Sequence, residues 1–477
     1  MASLRLPLPR PAGGSLAAWR GKRPASAYVI PIGLGLLSLM VGVLAGIDPK
    51  LAIAAAFGIG FAALVLANIT VGVCLFAVVS FLEVLGSVGG SIGITKVFGL
   101  LLVGSWFAAA STRDDAEQNF VTAHPTITYL LALFVAWSTL SVVWAENTSV
   151  ALNSSFRYFQ QLLLFLIVYT AIRRRRDAVW FVAAFVAGAT IAAIFAILNP
   201  PATGQYDVAR AAGTVGDPNE LAAVLVAGVI LAGVLVVLLK RSPALRLAAA
   251  GAAGICALGL FLAFSRGGLV ALGCAMLASL FVAGRWRPVI ITTMGTVALL
   301  GVFYFAFLAP QASRDRITKV DGGTGRTDIW RVGGRMVSAH PVRGVGSGNF
   351  QYTSGHYLLQ KPGAVKYDYF IDKPKVAHNT YLHVLAELGF VGLGLFLTII
   401  GFAIVCAYSA ARRFMHVGDV DMELLTRGLL LAMIGLLSAD FFISGQYSKQ
   451  LWLLLGMGPV MLAISKTRAR RQALGGF

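Results

Sequence analysis

Residues 219–239 read NELAAVLVAGVILAGVLVVLL, with no charged side chain between Glu220 and Lys240. A helix needs about 20 consecutive apolar residues to cross the hydrocarbon core of a bilayer, so this stretch predicts a transmembrane helix. Similar stretches recur along the chain, which is 58% hydrophobic and only 12% charged. Soluble domains are nearer a quarter charged. The composition therefore predicts an all-α polytopic membrane protein.

Apolar runs of this length predict about fourteen transmembrane helices, with twelve as the lower bound because two pairs of runs have short connections. The runs are 27–46, 51–68, 69–87, 95–111, 126–144, 156–172, 177–198, 219–239, 247–264, 267–283, 288–308, 379–407, 424–443 and 449–465. Five regions follow: a basic N-terminus (1–26), a bundle of about eleven helices (27–308), a long loop (309–377), about three further helices (378–465) and a basic tail (466–477). The first run continues directly into the next, so no cleavable signal peptide is expected.

The basic residues predict the orientation. The net charge is +19, and most of the excess lies at the ends of apolar runs, which indicates topology and anionic lipid headgroups rather than nucleic acid. Placing both termini in the cytoplasm puts more than half of the 39 Lys and Arg on that side. The clusters concerned are the N-terminal charges, Arg113, Arg173 to Arg176, Lys240/Arg241/Arg246, Arg285/Arg287, Arg412/Arg413 and the tail. The long loop is then extracytoplasmic, on the outer face of the inner membrane.

This orientation places several polar residues at the outer ends of helices. Arg210 and Arg266 lie on outer connections that border the face of the long loop, where we expect a functional role. A charge near hydrocarbon costs roughly 2.5–3.5 kcal/mol, so such residues usually have a partner or a task. Glu83, Lys96, Arg157, Asp440 and Lys449 fall at the same ends. For Lys96 and Lys449 we expect side chains that extend to the headgroups.

The long loop contains two polar segments. One is Gly325-Arg326-Thr327-Asp328-Ile329-Trp330, and the other runs from His340-Pro341 through Gly344-Val345-Gly346-Ser347-Gly348 to Phe350. The spaced glycines are compatible with turns of positive φ or a close backbone approach to a ligand, but an ordinary turn is the favoured interpretation. Loops of this length are often lids or binding elements.

Four features in order carry a resemblance to a known family. They are Arg210, Gly213 and Asp217-Pro218-Asn219; Phe264-Ser265-Arg266-Gly267-Gly268; Gly325-Arg326, Trp330, His340-Pro341 and Gly344-Val345-Gly346; and His378-Asn379 with Glu387, Leu388 and Gly389. Through these four features and their order, the chain resembles the O-antigen ligase and O-antigen polymerase superfamily of bacterial membrane glycosyltransferases.

The resemblance implies a C-type glycosyltransferase architecture and a glycan carried on polyprenyl (undecaprenyl) pyrophosphate as the donor. The glycan would move to the hydroxyl of an acceptor glycan or glycolipid, without a metal ion or other cofactor. Arg210 and Arg266 match the positions that bind the pyrophosphate, Arg326 matches the loop arginine, and His378 matches the catalytic histidine.

The chemistry of the residues agrees with this assignment. A departing pyrophosphate gains negative charge, and the loop's acids show no metal-ligand spacing, whereas arginine is always charged and binds phosphate through two hydrogen bonds. A histidine with a pKa near 6.5 suits removal of the hydroxyl proton.

Among the six histidines, His378 lies where the loop re-enters the membrane, at the start of a helix. It is the candidate base, with helix capping as the alternative. His383 and Glu387 stand one helical turn apart and could pair. We assign that pair and Asn379 a supporting role.

Two alternatives stay open. The sequence does not separate a ligase, which would use lipid A core as acceptor, from a polymerase of O-antigen or exopolysaccharide. The alternative function from a different class is a membrane transporter or lipid flippase. Such proteins usually show repeated halves and polar residues near the midplane, and no repeat is visible in this sequence. A scaffold for envelope assembly has no specific feature in its favour.

Overall fold

A computed structural model describes residues 26–47, 49–83, 87–88, 92–111, 120–199, 210–309, 311, 314, 326–359 and 375–473. The chain divides into two compact units, Met1–Leu64 and Val65–Phe477. In the first unit the structure describes α1 (Ser26–Ile47) and most of α2 (Pro49–Ala67). Every residue predicted to act in the site belongs to the second unit.

The second unit is built from helices. They are α3 (Ile69–Val79), α4 (Ile94–Ser111), α5 (Phe120–Ala123), α6 (Pro125–Leu140), α7 (Thr148–Ala171), α8 (Arg175–Leu198), α9 (Pro218–Leu238), α10 (Pro243–Leu262), α11 (Arg266–Val282), α12 (Arg287–Phe303), α13 (Arg326–Ala339), α14 (Phe350–Leu359), α15 (Thr380–His416), α16 (Val420–Ala439) and α17 (Lys449–Ala473). Short 3₁₀ turns follow α6 and α11, and a π turn (Tyr304–Leu308) extends α12. A hairpin of two-residue strands, Ser87–Val88 and Ile92–Gly93, precedes α4.

The helical membrane fold is confirmed. Seven helical segments in the described residues are long and apolar enough to cross a membrane, and each of the fourteen predicted runs falls on a helix. Several of the remaining helices are shorter or more polar than a typical span, so the total of fourteen stays a prediction. The run 69–87 is helical only to Val79, and the helix of the last run continues into the predicted basic tail.

Helices α9 and α16 form the middle of the bundle. The most apolar window of α9 is 78% buried and that of α16 is 89% buried, and both helices pack against α11 as well as against each other. The sequence specifies the start of α9. Asp217 caps the first turn, and Pro218 occupies a position whose N–H has no partner within the helix. Small residues then allow close contact: a Cβ built on Gly228 would lie 3.0 Å from Cβ of Ala189.

The predicted long loop contains the two helices α13 and α14. Helix α13 buries Ile329, Val332 and Met336 in an apolar cluster that also includes Phe350 and Ala386. This segment is therefore a small helical layer packed on α15. Several parts of the sequence predictions lie outside the described residues. They are the N-terminal charges up to residue 25, Arg113, and the loop segments 315–325, which contains Gly325, and 360–374.

Candidate functional site

Arg210 lies in the connection that leads into α9. Its Nε donates to the carbonyl oxygen of Ala263 at 3.1 Å, and its Nη2 donates to Oδ1 of Asn219 at 2.9 Å. The backbone N–H of Ala211 donates to the carbonyl of Leu262 at 3.2 Å. The connection before α9 is thus fixed against the end of α10.

Arg266 is the first residue of α11 and is exposed. The preceding Ser265 caps this helix through Oγ, which accepts from the N–H of Gly268 at 3.3 Å and donates to Oδ1 of Asn219 at 3.0 Å. The same amide oxygen therefore holds the connections that carry Arg210 and Arg266. The predicted pyrophosphate-binding arginines lie on adjacent connections at one end of the bundle.

The two glycines that follow Arg266 allow the connection between α16 and α17 to pack against the start of α11. A Cβ built on Gly267 would lie 2.7 Å from Cβ of Phe442, and one built on Gly268 would lie 2.7 Å from Cβ of Ala222. Larger residues would push α11 away from α9 and from the connection between α16 and α17. Close packing of α11 therefore requires glycine at both positions.

Arg326 begins α13, the first helix of the loop. On the same helix, the indole Nε1 of Trp330 donates to the carbonyl of Ala377 at 3.0 Å. This bond fixes the loop helix beside the residue that precedes His378. Arg326 is close enough to His378 for its charge to act on the imidazole.

His378 has an unusual backbone and electrostatic environment. Its φ is 47°, a left-handed conformation that is uncommon for residues other than glycine, and its N–H donates to Oγ of Ser444 at 3.0 Å. Burial lowers the pKa of His378 below its usual value, and the positive charges of Arg326 and Lys375 lower it further, while Asp217 acts in the opposite direction. The imidazole is therefore neutral at pH 7 and able to accept a proton.

Phe264 is the other non-glycine residue with positive φ in the described part of the chain, at 46°. It immediately precedes the Ser265-Arg266 turn. Such conformations cost about 1–3 kcal/mol and persist only where the surrounding contacts enforce them. One strained position is therefore the candidate base itself, and the other lies two residues before Arg266.

His383 and Glu387 form a buried pair on α15. Nε2 of His383 lies 3.0 Å from Oε1 of Glu387, and Nδ1 lies 3.0 Å from Oγ of Ser444. Oε1 of Glu387 also accepts from the N–H of Phe350 at 3.1 Å. In the tautomer whose Nε2–H donates to Glu387, Nδ1 accepts from the Ser444 hydroxyl, and Ser444 Oγ also accepts from the N–H of His378. Asn379 caps α15 by accepting from the N–H of Leu382 at 2.9 Å.

The glycine-rich turn of the loop packs against a break in α15. Gly389 has φ 66° and ψ −170°, which interrupts the helix. The carbonyls of Ala386 and Glu387 then accept from the N–H groups of Val345 (3.0 Å) and Gly346 (2.9 Å). On the other side of the break, the N–H of Phe390 donates to the carbonyl of Pro341 at 2.8 Å.

The turn itself has the positive φ that the spaced glycines allow. Gly344, Gly346 and Gly348 have φ values of 67°, 103° and 69°, and a Cβ on Gly346 would lie 2.6 Å from Cβ of Ala145. The positive φ and the close backbone approach are thus observed, the latter to the protein itself. The indole Nε1 of Trp137 on α6 adds a bond to the Leu388 carbonyl at 2.9 Å.

Ser444 and Asn219 are the residues that the sequence predictions did not select. Ser444 lies in the connection between α16 and α17, where it joins His378 to His383. The available signal was a polar stretch, Ser444 to Ser448, between two apolar runs. Asn219 belongs to the Asp217-Pro218-Asn219 motif, but its role depends on side-chain contacts that the sequence does not show.

The described residues contain no group of three or more His, Cys, Asp or Glu side chains arranged to hold a metal ion. The charged groups around His378 are instead two cations, Arg326 and Lys375, and one acid, Asp217. The arrangement can bind an anion beside an imidazole that accepts a proton.

Comparison with known proteins supports the resemblance. No curated protein matches the chain. Residues 251–397 match the family model described as O-antigen ligase. This segment includes Arg266, Arg326, His378, His383 and Glu387, whereas Arg210 precedes it. Over residues 251–397 the chain is therefore similar to the O-antigen ligase and polymerase superfamily, and its apolar helices agree with a membrane protein.

Proposed function

We propose that the protein transfers a glycan from a polyprenyl (undecaprenyl) pyrophosphate donor to the hydroxyl of an acceptor sugar, without a metal ion. The reaction would take place at the extracytoplasmic face of the bacterial inner membrane, with both termini in the cytoplasm. The observation that carries the proposal is the buried His378 within reach of the charge of Arg326, together with Arg210 and Arg266 on two connections joined through Asn219.

In the proposed mechanism, Arg210, Arg266 and Arg326 bind the pyrophosphate. As the bond between the anomeric carbon and the phosphate oxygen breaks, the electron pair moves to the pyrophosphate. Guanidinium groups stabilise this charge because each can donate two hydrogen bonds to phosphate oxygens. Removal of one such contact typically costs about 10²–10³ in rate.

His378 would receive the proton of the acceptor hydroxyl while the oxygen forms its bond to the anomeric carbon. General base catalysis of this kind contributes about 10²–10⁴-fold. Burial favours the neutral imidazole, and the charges of Arg326 and Lys375 favour it further because they lower its pKa. They also attract the anionic donor, so the same charges serve binding and proton transfer.

Reconstitution tests the proposal. The purified protein is supplied in lipid vesicles with a polyprenyl-pyrophosphate oligosaccharide and either lipid A core or a second lipid-linked oligosaccharide. A single transfer to lipid A core identifies a ligase, and a ladder of longer lipid-linked chains identifies a polymerase. Full activity after removal of divalent cations with EDTA is expected. No glycan transfer to any acceptor, or translocation of the donor without transfer, would contradict the proposal and favour a transporter.

A further inference from the structure

Thr380, the first residue of α15, is fully buried and forms three hydrogen bonds to one distant part of the chain. Its N–H donates to the carbonyl of Asp440 at 2.8 Å, and its hydroxyl donates to the carbonyl of Ile443 at 2.9 Å. The same hydroxyl accepts from the N–H of Gly445 at 2.7 Å. Thr380 therefore holds residues 440–445, which begin the connection between α16 and α17.

This use of a threonine differs from that of other threonines on the helices. The hydroxyls of Thr353, Thr398 and Thr426 donate to a carbonyl of their own helix, four residues back. The hydroxyl of Thr380 instead bonds to backbone groups 63 and 65 residues away. It is not needed to start α15, because Asn379 already caps that helix. The Thr380 hydroxyl thus serves the long-range contact.

The connection between α16 and α17 contacts both groups of candidate site residues. Ser444, which lies between two of the partners of Thr380, accepts from the N–H of His378 at 3.0 Å. Two residues earlier, Cβ of Phe442 packs against the backbone of Gly267, next to Arg266. The placement of this connection therefore affects the candidate base and the start of the helix that carries a candidate pyrophosphate-binding arginine.

The backbone of the candidate base also depends on these contacts. His378 has a φ of 47°, a conformation that persists only where the surrounding structure enforces it. Its N–H bonds to Ser444, and two residues later the N–H and hydroxyl of Thr380 bond to the same connection. Loss of the Thr380 hydroxyl would release this connection close to the strained residue.

We propose that Thr380 is a positioning residue for glycan transfer. By fixing the connection between α16 and α17, it places Ser444 and, through Ser444, the base His378 relative to Arg266. Because its side chain is fully buried, Thr380 acts through these groups and not by contact with a substrate. The inference rests on the proposed function, since the reaction whose groups are positioned is the proposed transfer.

Steady-state kinetics of the reconstituted full-length protein tests this role. Thr380→Val has nearly the same shape but lacks the hydroxyl, so both of its side-chain hydrogen bonds are lost. It should lower kcat by about 10- to 100-fold, because displacement of a catalytic group by about 1 Å can cost 10²-fold. The KM values of donor and acceptor should stay within about twofold, because no substrate contact is removed.

Thr380→Ser keeps the hydroxyl and should restore kcat to within about threefold of the wild type, since both hydrogen bonds can form again. Thr380→Ala, which also lacks the hydroxyl but has a smaller side chain, repeats the test if the valine variant does not give folded protein. The midpoint of thermal unfolding in detergent is measured for every variant, and the rates refer to the folded protein.

Tyr381→Phe is the matched control, because it removes a hydrogen bond that does not reach residues 440–445. The Tyr381 hydroxyl donates to the carbonyl of Leu437, on α16 itself, at 2.8 Å. Its loss should lower the unfolding midpoint but keep kcat within about twofold of the wild type. A role of Thr380 in stability alone predicts instead that Thr380→Val and Tyr381→Phe have the same kcat.

A double variant supplies the second criterion. Thr380→Val and Ser444→Ala should lower kcat less than additively when combined, because both act through the same connection. Full additivity, a kcat of Thr380→Ser as low as that of Thr380→Val, or equal kcat values for Thr380→Val and Tyr381→Phe would each overturn the inference. If the wild-type protein transfers no glycan, the proposed function itself fails.

Discussion

The guanidinium of Arg210 donates from Nη2 to Oδ1 of Asn219 at 2.9 Å, across the start of α9. Asn219 accepts at the same oxygen from the Ser265 hydroxyl, one residue before Arg266. One amide thus joins two connections that are separated in sequence by two helices, α9 and α10. A proposal in which both arginines bind one pyrophosphate requires this arrangement.

Substitution of Arg266 should remove glycan transfer without loss of the folded protein. Because Arg266 is exposed, Arg266→Ala should lower transfer by about 10²–10³-fold, and Arg266→Lys should restore little, since an ammonium cannot donate the paired hydrogen bonds of a guanidinium. Transfer is measured with the lipid-linked donor at saturating acceptor.

Arg246→Ala is the control for this experiment, because Arg246 is an exposed arginine near the opposite end of α10. It should transfer glycan at the wild-type rate. Normal transfer by Arg266→Ala would remove Arg266 from the mechanism.

The rate of transfer should rise with pH through the pKa of His378, because only the neutral imidazole accepts a proton. Burial and Arg326 lower this pKa, so the half-maximal rate is expected below pH 6.5. Arg326→Ala removes a positive charge, which raises the pKa of His378 and moves the acidic limb to higher pH. Asp217→Asn removes a negative charge and should move it to lower pH.

The asparagine in Asp217→Asn is also a good helix cap, so α9 should stay intact. The profile is measured as kcat against pH for the wild type and both variants. His378→Ala should have little transfer at any pH. Shifts of the same sign in the two charge variants would contradict His378 as the titrating base.

Ser444→Ala should lower kcat by about 2- to 12-fold, which corresponds to the loss of a hydrogen bond worth about 0.5–1.5 kcal/mol. The serine holds the backbone of His378 and the ring of His383 at the same time. The effects of Ser444→Ala and His383→Ala should therefore be less than additive in the double variant.

Ser438→Ala provides the control serine, because the Ser438 hydroxyl bonds to the Ile434 carbonyl of its own helix. Its kcat should match the wild type. Full additivity of Ser444→Ala and His383→Ala would show that the two side chains act independently.

Gly389→Ala should destabilise the attachment of the loop to α15. The backbone of Gly389 has φ 66° and ψ −170°, a region used almost only by glycine, and an added Cβ would collide with the carbonyl oxygen of Val342. We expect a loss of about 1–3 kcal/mol in the free energy of unfolding. The midpoint of thermal unfolding in detergent measures this change.

Gly394→Ala, one turn further along α15, is the matched control, since a Cβ there meets no atom within 4 Å. It should unfold at or above the wild-type temperature, because alanine favours a helix more than glycine does. Equal unfolding temperatures for Gly389→Ala and the wild type would mean that the break does not need glycine.

The sequence by itself determined the helical membrane fold and most of the candidate residues. Long apolar runs such as 219–239 predict helices because no other backbone arrangement satisfies its own hydrogen bonds in lipid. The spaced glycines of the loop allow positive φ, where an L side chain is strained. These are local properties, so a single chain segment contains the information.

Only the tertiary structure decided which residues meet. Ser444 follows His378 by 66 residues, and Asn219 precedes Ser265 by 46, yet each pair is joined by a hydrogen bond. Burial lowers the pKa of His378, and charges from two distant parts of the chain, at Arg326 and Asp217, act on it as well. Such contacts arise from the packing of α9, α11, α13 and α15, and the periodicity of a single helix does not encode the position of its neighbours.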